Sequence, residues 1–165
     1  YSIILVFFLS GCDYSIDGKV EFILEDGTLD QVRTYKDGVS IKDEYYRIDG
    51  TIDQILTYEN GVTSKGEFYR KDGTLEEIQT FENGISSKDE LYRKDGTLKE
   101  VYFYENGIFS KGEYYREDET LKEVLKYEDG VKSEVEYYRE DGSLDKIDFY
   151  EDGKYKNTNE KNSKE

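Results

Sequence analysis

Histidine is absent from this 165-residue chain, so an imidazole base, an imidazole partner for a nucleophile and the commonest nitrogen ligand for metals are all missing. A single thiol, Cys12, is present. Carboxylates are plentiful, with 39 Asp and Glu against 23 Lys and Arg, yet they recur in register along the chain. Adjacent acids such as Glu76 and Glu77 sit in columns of this kind, and nothing marks one carboxylate as different from its copies, which a catalytic acid or base requires. No enzyme is expected. Asp-Gly-Thr alone lacks the alternating oxygen ligands of a calcium loop, so neither metal nor cofactor is expected.

The remaining chemistry is recognition. Tyr46, Tyr69, Tyr92, Tyr115 and Tyr138 form one column and Arg47, Arg70, Arg93, Arg116 and Arg139 the next, and together they are the candidate binding surface. Both columns have a plainer use. The Arg column follows the Glu column Glu44, Glu67, Glu90, Glu113 and Glu136 by three residues, and cross-strand ion pairs of ~0.2–1 kcal/mol would account for it; the Tyr column would then be packing. A net charge of −16 repels phosphates and anionic headgroups, which argues against nucleic acid and against acidic lipid as partners.

These columns exist because the chain repeats every 23 residues, and Val62 to Gly84 is a representative copy. Six copies fit between Lys19 and Gly153. Such a period means that each unit buries its apolar side chains against its neighbours. Asp72-Gly73 and Asn83-Gly84 punctuate runs rich in Tyr, Phe, Val, Ile and Thr, the pattern of consecutive β-hairpins. The expected strands are Val62 to Arg70 and Thr74 to Phe81, joined by three-residue loops that place Tyr69 opposite Leu75 and Phe81 opposite Ile85. Leu75 and Ile78 have opposite parity, so either both faces are used or a bulge resets the pleat, with Gly66 and Gly112 as its expected positions. Thr74-x-x-Glu77 also fits a helix capping box, but about seven residues precede the next turn, well below the ~12–15 at which an isolated helix becomes marginal.

The unit resembles a MORN repeat of the bacterial variant written around Tyr-Tyr-x-x-Gly-x-Leu-x-x-x-x-x-Tyr-x-x-Gly, which also builds the YwqK-family antitoxins. Tyr69, Gly73, Leu75, Phe81 and Gly84 carry the match, and Trp, frequent in such repeats, is absent. The resemblance implies an all-β fold, an elongated single-layer antiparallel sheet of tandem hairpins. Upstream, the apolar run Tyr1 to Leu9 leads into Leu9-Ser10-Gly11-Cys12, which resembles a bacterial lipobox whose Cys receives a diacylglyceryl group. The chain lacks an initiator Met and a basic n-region, so residues are expected to precede Tyr1.

The expected organisation is a signal peptide over residues 1–11, truncated at its start, lipidated Cys12 and a short tether over 12–18, six repeats over 19–153 and a disordered polar tail over 154–165. The expected function is that of a non-catalytic lipoprotein, lipid-anchored outside the cytoplasmic membrane, whose sheet binds a protein or a cell-envelope polysaccharide. Two alternatives are an antitoxin or immunity protein that neutralises a basic toxin, and a structural spacer.

Overall fold

A computed structural model describes residues 6–7 and 17–160. Cys12, the tether up to Ile16 and most of the expected signal peptide lie outside the described residues, as do residues 161–165. The chain divides into two compact units, Tyr1–Gly84 and Ile85–Glu165. The first contains β1 (Val6–Phe7), β2 (Gly18–Ile23), β3 (Leu29–Lys36), β4 (Val39–Tyr46), β5 (Ile52–Glu59), β6 (Val62–Tyr69) and β7 (Leu75–Glu82). The second contains β8 (Ile85–Tyr92), β9 (Leu98–Glu105), β10 (Ile108–Tyr115), β11 (Leu121–Glu128), β12 (Val131–Tyr138), β13 (Leu144–Glu151) and β14 (Lys154–Glu160). Within each unit the strands pair antiparallel in sequence order. Every regular element among the described residues is a strand, so the fold is the all-β, hairpin-repeat, single-layer class that the sequence indicates.

The two turns of each repeat are different objects. In Arg70-Lys71-Asp72-Gly73-Thr74 the Gly73 amide donates to the Arg70 carbonyl at 2.9 Å and the Arg70 amide to the Thr74 carbonyl at 2.9 Å. Gly73 has φ +82° and Tyr69 lies opposite Leu75, the expected three-residue loop. Thr74 does not cap a helix, because its amide and hydroxyl bond the Asp72 carboxylate at 3.2 and 2.6 Å. The second turn departs from expectation. Asn60 and Gly61 have φ 52° and 80°, and Glu59 lies opposite Val62, which makes a two-residue turn of type I′. Asn and Asp reach the left-handed region at low cost, and the twist of this turn matches that of the strands. The equivalent of an expected Phe81–Ile85 pairing is therefore shifted by one residue, to Glu59 opposite Val62.

The bulges also lie elsewhere than expected. Gly66 and Gly112 pair regularly, opposite Leu56 and Leu125 respectively. One bulge follows the type I′ turn at Ser64, between the pairs Tyr58–Thr63 and Thr57–Lys65. The Ser64 hydroxyl donates back to the Thr57 carbonyl at 3.3 Å, and Ser110 and Ser133 make the same bond to Phe103 and Lys126 at 3.2 Å each. The other bulge is at Glu76, between the pairs Tyr69–Leu75 and Phe68–Glu77. It resolves the parity of Leu75 and Ile78, which come to share one face. Gly66 makes room for a ring rather than a bulge, since a Cβ there would meet Phe68 Cε2 at 3.0 Å.

The expected disordered tail is corrected over residues 154–160. Asp152 and Gly153, with φ 50° and 73°, form another type I′ turn, so the chain reverses and β14 pairs with β13 from Lys154 opposite Glu151 to Glu160 opposite Lys146. Composition pointed to disorder because this segment buries little. A strand added to a ladder gains backbone bonds without burial, and Thr158 also donates to Asp148 Oδ1 at 2.5 Å.

Glu119 occupies the Gly position of the three-residue loop with φ 63°, a region that costs an L-residue roughly 1–2 kcal/mol. Its carboxylate accepts the Leu98 amide at 3.2 Å, which offsets part of that strain. Glu119→Gly is expected to raise the melting temperature, and Glu119→Ala, which keeps the Cβ and loses the carboxylate, to lower it. A melting temperature that falls for Glu119→Gly would refute the strain.

Candidate functional site

Successive strand residues point to opposite faces, so the register divides each repeat. On one face Lys65, Glu67 and Tyr69 lie opposite Thr80, Ile78 and Leu75. On the other, Gly66 and Phe68 lie opposite Gln79 and Glu77. The first face, here termed the ion-pair face, is nearly the same in every repeat. Lys42, Lys65, Lys88 and Lys111 each hold the Glu two residues on, at 2.7–2.9 Å. Beneath them Val32, Ile55, Val101 and Val124 are buried.

The predicted Tyr column belongs to this face. Tyr115 and Tyr138 donate to Glu113 and Glu136 at 2.6 Å each, and Tyr69 to Glu67 at 3.3 Å. The same burial and the carboxylate beside each phenol raise these tyrosines above the ordinary phenol range, Tyr138 to about 12, with Tyr46, Tyr69 and Tyr92 raised as well.

The predicted Arg column serves the backbone. Arg93 Nη1 donates to the Leu98 carbonyl at 2.5 Å, and Nη2 to the Tyr115 carbonyl one repeat on. Arg116 does the same to Leu121, at 2.6 Å, and to Tyr138. In the first unit Arg47 bonds Ile52 and Tyr69, and Arg70 bonds Leu75 at 2.6 Å. The carboxylates that these guanidinium groups meet belong to the bulge residue, not to the Glu column: Arg47–Asp53 at 2.6 Å, Arg70–Glu76 at 3.7 Å and Arg139–Asp145 at 2.5 Å.

The opposite face keeps a ring in two columns, Tyr35, Tyr58, Phe81, Tyr104, Tyr127, Tyr150 and, interrupted by Leu91, Phe22, Tyr45, Phe68, Tyr114, Tyr137, and changes from repeat to repeat in the others. The column Asp43, Gly66, Asp89, Gly112, Val135 and its neighbour Arg33, Leu56, Gln79, Tyr102, Leu125, Asp148 keep no residue type. In the first unit this face holds Asp43, 1% exposed, gripped by Arg33 through Nε–Oδ1 at 2.7 Å and Nη2–Oδ2 at 2.8 Å. Tyr58 donates to Oδ2 at 3.0 Å, and burial together with that bond pushes its phenol up to about 12. Asp43, Arg33, Ser40 and Tyr58 border a groove of 410 Å³.

In the second unit the same face is aromatic. Tyr102 packs edge-on against Phe109 and Tyr114 at 5.7 and 6.1 Å. Phe109 in turn meets Tyr104 at 5.9 Å and Tyr127 at 4.7 Å. Gly112 lies beneath, where a Cβ would meet Phe109 at 3.2 Å and Tyr114 at 3.3 Å. The repeat pattern already places rings such as Tyr114 on this face; what it does not show is Tyr102 and Phe109, which stand in columns where the other copies carry no common residue. No cluster of three or more acidic, Cys or His side chains suited to a metal ion occurs among the described residues.

No protein-family model and no curated protein matches the chain. Solved structures similar to it include accessory secretory protein 1, 2 and 3 of Streptococcus pneumoniae, at 22% identity and TM-score 0.43 over 52% of this chain and 17% of that one. Another is a mutant of S. aureus TarM in complex with fondaparinux, alpha-GlcNAc-glycerol and UDP, at 10% identity and TM-score 0.35 over 79% and 21%. A third is the GtfA/B complex bound to UDP and GlcNAc, at 12% and 0.26 over 72% and 22%. The chain therefore spans less than a quarter of the length of each.

The raised phenols set an alkaline limit on stability. Each is ionised more readily in the unfolded chain, near pH 10, than in the fold, where Tyr58, Tyr137 and Tyr138 ionise at about 12. Their contribution is complete below pH 10 and is lost as pH rises toward 12. Tyrosinate absorbance and loss of sheet circular dichroism are expected to rise together in one step above pH 10. Gradual titration centred at pH 10 with the sheet intact would contradict the assignment.

Proposed function

We propose that this is a non-catalytic lipoprotein of the bacterial cell envelope, anchored through lipid on Cys12, whose MORN-like repeats bind a protein or an envelope polysaccharide with the face opposite the ion pairs. The observation that supports this reading most is the difference between the faces. The uniform one spends its side chains on holding repeats together, whereas on the other the columns between the repeated rings vary from a buried Arg33–Asp43 pair to Tyr102 and Phe109 packed together. Variation among copies of one unit is what a surface shaped by a particular partner would show, since lattice packing asks the same of every copy. A net charge of −16 supports a second reading, neutralisation of a basic toxin.

The anchor and the face are separable. Cys12→Ser in the full gene is expected to move the protein out of the membrane fraction without changing what it captures from envelope extract. Phe109→Ser with Tyr155→Ser is expected to leave it in the membrane and abolish capture. A Cys12→Ser protein that still carries a labelled acyl chain would refute the anchor, and capture that survives the double change would refute the face.

A further inference from the structure

A ladder of rings crosses the second unit on its varied face. Tyr104 meets Phe109, which meets Tyr127 at 4.7 Å; Tyr127 lies opposite Lys132, whose Nζ sits 3.8 Å from the centroid of Tyr150; Tyr150 meets Tyr155 at 6.0 Å. The chain's own ammonium thus already occupies one ring seat. A second instance on this face is Lys146, 4.2 Å from Tyr137. Ring faces draw cations through their quadrupole, and here carboxylates add to the attraction. Glu100 and Glu123 both lie opposite Tyr114, and Glu123 also opposite Tyr137, so both are on the ring face; they raise the Tyr114 phenol electrostatically, and Glu123 raises that of Tyr137.

We propose that this ladder binds an extended basic peptide segment, with a Lys or Arg of the partner on each ring column where Lys132 sits on Tyr150. The proposal rests on the reading of this face as the binding face and names its occupant. Charge selects a cation over a neutral or acidic partner: the ring faces, the carboxylates of Glu100 and Glu123 on this face and the net charge of −16 favour it, and Lys132 and Lys146 show that the ring seats accept an ammonium. Spacing selects the conformation. Tyr104 and Tyr127 are two strands apart, roughly 9.6 Å at about 4.8 Å per strand, and a polyproline II chain turns once in three residues, about 9.3 Å. A β-strand would place side chains of one face at about 6.7 Å and then 13 Å, and so miss alternate columns. The favoured ligand therefore carries a cation at every third residue.

The test is calorimetric titration of the 165-residue chain at ~0.15 M salt, where long-range attraction is screened. The probes are a (Lys-Pro-Pro)4 peptide, its isomer with all lysines in one block, and a neutral chito-oligosaccharide. The spaced peptide is expected to bind about fivefold more tightly than the block isomer, and Phe109→Leu with Tyr127→Leu to weaken it about tenfold. Glu117→Gln with Glu140→Gln, which lowers charge in loops away from the ladder, is expected to change binding less than about twofold. Lys132→Gln vacates the Tyr150 seat and is expected to tighten the spaced peptide, a readout that does not depend on the Leu variants folding. Equal binding of the two isomers, or no gain for Lys132→Gln, overturns the proposal. Oligosaccharide binding lost in the Leu variants, with no peptide binding, overturns it while leaving the face reading intact. No probe responding to any ladder variant overturns both.

Discussion

A sheet with no second layer has nowhere to hide an unpaired backbone group, and the described hairpins from β2 to β7 and from β8 to β14 each open their ladder at a bulge. The arginine column answers that need. From one guanidinium, Arg93 supplies a donor to the Leu98 carbonyl beside its own bulge and another to Tyr115 in the next repeat. Planar and always charged, guanidinium presents its donors in a fixed fork that reaches both carbonyls. The bulge and the arginine are therefore one device, which shapes the strand and links it to its neighbour.

The same shortage of interior explains the ion-pair face. Few apolar side chains are buried, and four of them, Val32, Ile55, Val101 and Val124, lie under the stems of Lys and Glu rather than under another layer, while Val20 and Val135 are buried on the opposite face. Long charged side chains can cover apolar surface while their heads stay wet. Exposed pairs of this kind contribute little individually, but each Lys–Glu–Tyr run holds its stems in place over the valine or isoleucine below. The other face carries its own repeated rings, such as Tyr58, Tyr104, Tyr127 and Tyr150, and the repeats diverge in the columns between them.

Much of this was legible in the sequence. The 23-residue period, the strands and the Gly73 loop follow from spacing and from the conformational freedom of Gly. The type I′ turn at Asn60-Gly61 was misjudged because three-residue loops were expected at both turns for the apolar pairings they give, Phe81 opposite Ile85 among them, whereas Asn60 and Gly61 both take positive φ. The bulges were sought at Gly66 and Gly112, which serve ring packing instead, while Ser64 and Glu76 carry no composition signal for a bulge. Strand β14 was missed since backbone pairing, unlike burial, leaves no hydrophobic pattern. The Tyr and Arg columns were weighed as a binding surface and as packing and ion pairs with the Glu column, yet the Tyr phenols meet Glu67-type carboxylates and the guanidinium groups backbone carbonyls, partners set by a register that side-chain identities alone do not reveal.

Urea unfolding of Arg93→Met tests most directly whether the arginines hold the repeats together. The substitution keeps a long apolar stem and removes only the donors, so the carbonyls of Leu98 and Tyr115 lose their charged partner. The expected loss is about 2–3 kcal/mol, that of hydrogen bonds to a charged group at a partly buried site. A stability within about 0.5 kcal/mol of the parent, the range of an ordinary surface substitution, would contradict the account.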